Sequence, residues 1–157
     1  MLELEALENS ISALDNSIEV YKKISDNNND FSEHLVNDKK LIDTLRSGVI
    51  QNFEVAFEQS WKFIVRWLNE NVSYGIAQGI TKKELFRLAA EHLLIDNVSK
   101  WIEFKNYRNS TSHIYSELTA ENVFKSDLEF PPYVKYLLKR LKEHNQWFQY
   151  PQKNTIL

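Results

Sequence analysis

The sequence predicts an all-α protein, an up-and-down bundle of four to five helices, and three observations carry that prediction. Only three Gly and three Pro punctuate 157 residues, too few for a turn-rich β fold. Apolar residues recur at steps of three and four over long stretches, the period of a helix with one buried face. No stretch shows the sustained alternation of a half-buried strand. Hydrophobic residues make up 43% of the chain, enough to build a core, and the length suits one domain. The expected division is a bundle over 1–148 and a loose tail over 149–157.

The first helix is expected from Leu2 to Ile24, on a stripe of Leu4, Leu7, Ile11, Leu14, Ile18 and Tyr21. "SDNNNDFSEH" breaks it, because Asp, Asn and Ser satisfy turn backbones with their own side chains. A second long helix is expected from about Asp38 to Asn71. Phe53, Phe57, Trp61 and Trp67 follow its stripe and read as core. These two helices, joined by a short polar loop, should pack antiparallel. "VSYGIAQGI" is the Gly-rich connection, and Thr81-Lys82-Lys83-Glu84 after it has the form of a capping box. That box opens a third helix expected to reach Ile95. Asp96 or Asn97 caps the next, Thr119 caps a short one, and Pro131-Pro132 is expected to open the last, since proline is tolerated in a first turn.

Composition narrows the function. Without Cys there is no disulfide framework and no thiol nucleophile. A net charge of −3 gives no general nucleic-acid coat, so any RNA contact must be local. "MLELEALENS" lacks the order of a signal peptide and no apolar run has membrane length, which predicts a cytoplasmic protein without membrane contact. His34 and His144 fall in polar segments and read as solvated. His92 has no second ligand at metal spacing. No P-loop, no nucleophile elbow and no Gly-Ser-led pair of carboxylates is present. The reading therefore includes no metal and no cofactor, and any nucleotidyl transfer belongs to a separate chain.

The unusual stretch is "KNYRNSTSHIY", Lys105 to Tyr115, where an arginine, small hydroxyl residues and a histidine crowd into a helix they favour little. Trp101, Phe104, Arg108, Thr111, Tyr115 and Leu118 share one face at steps of three and four. A guanidinium on that face needs a partner or a cleft. His113 lies roughly 140° round the helix from Arg108, whereas Asn109 and His113 stand one turn apart. Arg108 and His113 of one chain therefore do not converge on one small target, but two facing copies in a twofold dimer could surround one. On a phosphodiester, His113 could move a proton at a ribose hydroxyl and Arg108 could hold the phosphate, with Asn109 orienting His113. Favoured on these residues alone is a structural reading: Arg108 pairing with a bundle carboxylate, His113 on the surface and Tyr115 at the rim of the core.

"RNSTSHIY" fits the R-x4-H-x-Y pattern. With "VIQNFEVAFEQSWKFIVRWL", "ELFRLAAEHLLI" and "WIEFKNYRNSTSHIY" in that order, the chain resembles the HEPN superfamily, and within it the nucleotidyltransferase substrate-binding branch, from about Leu2 to Leu141. The resemblance implies a bundle that dimerises through the motif helix and binds a minimal nucleotidyltransferase. It implies a ribonuclease toxin with Arg108 and His113 catalytic and Asn109 beside them, neutralised when the transferase adds AMP to Tyr115. The alternative within the same resemblance is a non-catalytic subunit that presents substrate to the transferase.

Overall fold

The computed structural model describes residues 2–26, 39–110 and 117–147. Five helices cross the described residues: α1 (Glu5–Asp26), α2 (Lys39–Asn71), α3 (Lys82–Glu91), α4 (Val98–Ser110) and α5 (Glu117–Trp147). Among the described residues there is no strand, and no helix is long and apolar enough to cross a membrane. The tail over 149–157 lies outside them.

Cross-helix contacts set the topology. Glu8 pairs with Lys142, Asp15 with Lys135 at 2.7 Å, and Tyr21 stacks edge-on with Phe124, so α1 runs antiparallel to α5. Arg46 lies over Phe124, Phe53 meets Phe130 and Trp67 meets His144, so α5 runs parallel to α2. The short helices α3 and α4 pack on one another and against α2, and α4 also touches α5. At the centre Phe53, Phe57, Phe86, Trp101, Phe104 and Phe130 form one buried aromatic cluster with ring centroids 5.0–6.5 Å apart. Half of these pairs are edge-to-face, an arrangement that the ring quadrupole favours.

Local chemistry explains the boundaries. Thr81 Oγ1 accepts from the Glu84 amide at 3.2 Å while Glu84 Oε2 accepts from the Thr81 amide at 2.7 Å, the reciprocal box that the sequence announces. Asn97 Oδ1 accepts from the Lys100 amide and caps α4. Gly75 and Gly79 both adopt positive φ in the connection between α2 and α3, a region open to glycine.

Three expectations change. The third helix ends at Glu91 rather than Ile95. Leu93 takes φ 59°, its amide bonds to Ala90 and that of Leu94 to Ala89, a Schellman ending without glycine. The left-handed leucine costs roughly 1–2 kcal/mol, offset by turning Leu94 and Ile95 into the core. Second, Pro131 and Pro132 lie inside one continuous helix, and position 119 lies in it too, not before it. The prolines withhold donors from the carbonyls of Asp127 and Leu128, but buried Phe124 and Phe130 on one side and Val134, Leu137 and Leu141 on the other hold both halves to the core. Third, Trp61 is not a core residue. The buried stripe of α2 passes through Ala56, Phe57, Ser60, Phe63 and Ile64, Ser60 turning its hydroxyl onto the Ala56 carbonyl at 2.7 Å. That leaves Trp61 half-buried at the margin.

Candidate functional site

The motif arginine emerges at the end of α4. Trp101 and Phe104 anchor that helix in the aromatic cluster, and Arg108, one turn beyond Phe104, reaches the edge of the bundle half-buried. It borders a shallow groove of about 300 Å³ whose other walls come from α2: Glu54, Val55, Glu58 and Gln59. Glu54 and Glu58 stand one turn apart and so present two carboxylates on one face. Burial acts to raise the pKa of Glu58. Hydrogen bonds from Trp61 and Lys62, with the charges of Lys62 and Lys82, outweigh it and hold the carboxyl below its ordinary value. Arg108, Glu54 and Glu58 thus line one groove. Asn109 is exposed on the next position. His113 and Tyr115 lie outside the described residues.

A residue that the motif does not include lies behind this groove. Asp127 of α5 is fully buried, and among the described residues neither carboxyl oxygen has a hydrogen-bond partner. Burial, then the nearby Glu54 carboxylate, pushes it up to about 8. At neutral pH it is a neutral acid, the form that a dry and unpaired site favours. The sequence carries a signal for it: Phe124, Asp127, Phe130 and Val134 continue one apolar stripe at steps of three and four, with a single acid inside. Nearby on α2, Arg46 lies 5.2 Å from the Phe124 ring, its Nε buried and without a hydrogen-bond partner among the described residues. The arginine end of the bundle therefore carries several incompletely satisfied polar groups.

The opposite end buries one such group as well, the indole Nε1 of Trp67, which among the described residues has no hydrogen-bond partner. Trp67 sits between two histidines, His144 at 5.0 Å and His92 at 6.0 Å between ring centroids. His144, expected to be solvated, packs on Trp67, and burial followed by the Arg140 charge lowers its pKa. Arg140 Nε donates to the Leu93 carbonyl at 2.7 Å, tying the α3 ending to α5. Among the described residues no group of three or more His, Asp or Glu could hold a metal ion.

The fold and site define a small all-α bundle with an arginine at a helix end, bordering a groove lined by two glutamates. The family described as "Nucleotidyltransferase substrate binding protein like" matches residues 2–143, and the chain belongs to that family. It is similar to "Probable ribonuclease HepT" of Haemophilus influenzae, 33% identical over 112 residues that cover 67% of this chain and 73% of that one. It is also similar to a solved Haemophilus influenzae structure, HI0074, described as the fold of a substrate binding domain of a nucleotidyltransferase. That match has a TM-score of 0.77 at 28% identity, covering 89% of this chain and 99% of that one.

Proposed function

We propose that this protein is a ribonuclease of the HEPN type that works without a metal ion, as the toxin of a pair whose antitoxin is a separate minimal nucleotidyltransferase. The observation that carries the reading is the position of Arg108, half-buried in a groove at the end of α4 and five residues before His113. The relative named as a probable ribonuclease supports it. In this scheme the ribose 2′-oxygen bonds to phosphorus and the bond from phosphorus to the leaving 5′-oxygen breaks. His113 of one protomer takes the 2′-hydroxyl proton and its counterpart protonates the leaving oxygen, the complementary acid and base roles open to imidazole near neutral pH. Arg108 holds the phosphate and stabilises the charge that builds on its oxygens. Asn109 orients His113. An ideal helix would set Arg108 and His113 roughly 140° apart, which is the reason to place the site at a twofold junction of motif helices.

A second reading is favoured by the description of HI0074: a non-catalytic subunit that presents substrate to the transferase. Expression separates the two. The ribonuclease reading expects growth arrest on expression of the wild type, relieved by Arg108→Ala, by His113→Ala, or by co-expression of the transferase. It also expects an AMP-sized mass increase on Tyr115 after incubation with transferase and ATP. Harmless wild-type expression favours the presenting subunit, and an unchanged mass removes the modification step.

A further inference from the structure

Trp61 lies at the margin of the core with its indole in unusual company. Its Nε1 donates to Glu58 Oε2 at 2.9 Å. The Lys82 ammonium stands 3.2 Å from the ring centroid and the Lys62 ammonium 5.8 Å from it. Lys62 also pairs with Glu58 at 3.2 Å. Glu58 is a wall of the Arg108 groove, so one side chain joins the groove to the tryptophan. Glu54, Glu58, Trp61 and Lys62 recur at helical spacing, and the strip extends about 12 Å along α2 before meeting Lys82 at the start of α3.

Lys82 is the least satisfied member of the strip. It is half-buried, and among the described residues no carboxylate comes within ion-pair distance of it. Burial, opposed by the charge of Glu58, lowers its pKa. The indole face is its substitute for an anion, and a phosphate oxygen would serve it better. If Lys82 swings to such an anion, the indole face is freed for a flat group. Two ammonium groups beside one ring, next to a groove that holds an arginine, offer a single strand of nucleic acid places for both phosphate and base.

We propose that Trp61, Lys62 and Lys82 form a binding subsite for the single-stranded RNA that flanks the phosphodiester held at Arg108. The two ammonium groups take phosphates and the indole takes one base by stacking. This rests on the ribonuclease reading for its ligand, and it names where the strand runs beyond the reacting phosphate. A stacked base is read by its face and not by its edge, so the subsite should be tolerant of sequence.

The test uses the full-length protein and a labelled 2′-O-methyl oligouridylate, which lacks the attacking hydroxyl and stays intact. Anisotropy titrations over a range of salt should show binding by the wild type. Replacing both Lys62 and Lys82 by Ala should flatten the log–log salt slope by about 1.4, from roughly 0.7 per phosphate lost on a single strand. Trp61→Leu should weaken binding about tenfold or more, and Trp61→Tyr, which restores a stacking face, should recover most of it. Variants that bind the oligonucleotide as tightly as the wild type, with the same slope, overturn the subsite. So does loss of transferase binding with oligonucleotide binding unchanged, which would make the strip a docking surface for the partner. Failure of the ribonuclease reading looks different: oligonucleotide binding follows the pattern above, yet the wild type leaves unmodified RNA uncut.

Discussion

The aromatic centre of the bundle and the end that carries Arg108 are built from the same helices but bury different things. The centre encloses aromatic rings packed on one another and closed to water. Among the described residues, the arginine end encloses a neutral aspartic acid and an arginine Nε without hydrogen-bond partners, and a groove between an arginine and two glutamates. The difference teaches that apolar packing and incompletely satisfied polar groups are separated along the helix axes. The core makes the fold, and the polar end is tolerated because the core can carry it.

The largest effect expected from this contrast is in the centre. Phe130 is fully buried and contacts the rings of Phe53, Phe57, Trp101 and Phe104. Phe130→Ala should cost about 3–5 kcal/mol in chemical denaturation through lost transfer energy and a cavity. A loss below about 1 kcal/mol would mean that the cluster is not the keystone described.

Asp127 should give the next largest effect, and one of opposite sense. Its folded pKa of about 8 is raised by burial and by Glu54, well above the roughly 3.9 of an unfolded aspartate. The folded state therefore holds a proton that the unfolded state releases. The associated stability is complete below about pH 4, falls as pH rises, and levels off above about pH 8. Asp127→Asn removes that slope. Between pH 4 and 8 the wild type should lose on the order of 3–5 kcal/mol relative to the variant. Parallel stability curves would place Asp127 in a solvated, ionised setting.

Much of this was legible in the sequence, for reasons visible at particular residues. The long stripes of α1 and α2 and the Thr81–Glu84 box are local signals, and local physics decided them. Arg108 was legible because a charge on an apolar face demands a cleft, and a cleft is there. The ending at Leu93 was not legible, since no glycine marks it and the burial of Leu94 and Ile95 is a tertiary demand. The Pro131-Pro132 pair misled for the same reason: proline opens a helix by local preference, whereas packing on both sides carried α5 through it. Trp61 was misplaced because the stripe allows either Ser60 or Trp61 inside, and the smaller residue won. Asp127 stood in plain view in the stripe of α5, but its meaning needed the neighbouring Glu54.

Smaller effects sharpen the contrast from the surface. Arg108→Ala should change stability by about 1 kcal/mol or less, as expected of a half-exposed charge. The exposed Asp15–Lys135 pair between α1 and α5 should contribute no more than about 0.2–1 kcal/mol in a double-mutant cycle, and less in high salt. A coupling above about 2 kcal/mol would mean that the helices are held by charge more than by the rings.

The central claim is that the arginine end performs chemistry that the fold does not need. It is tested most directly by RNA cleavage with purified protein in the presence of a chelator, with thermal melts of the same samples. The wild type should cut, and Arg108→Ala should lose at least about 10²–10³-fold in rate, as when a charge-stabilising donor is removed, while its melt stays close to the wild type's. Cleavage by Arg108→Ala at the wild-type rate, or a wild type that leaves RNA intact, would contradict the account.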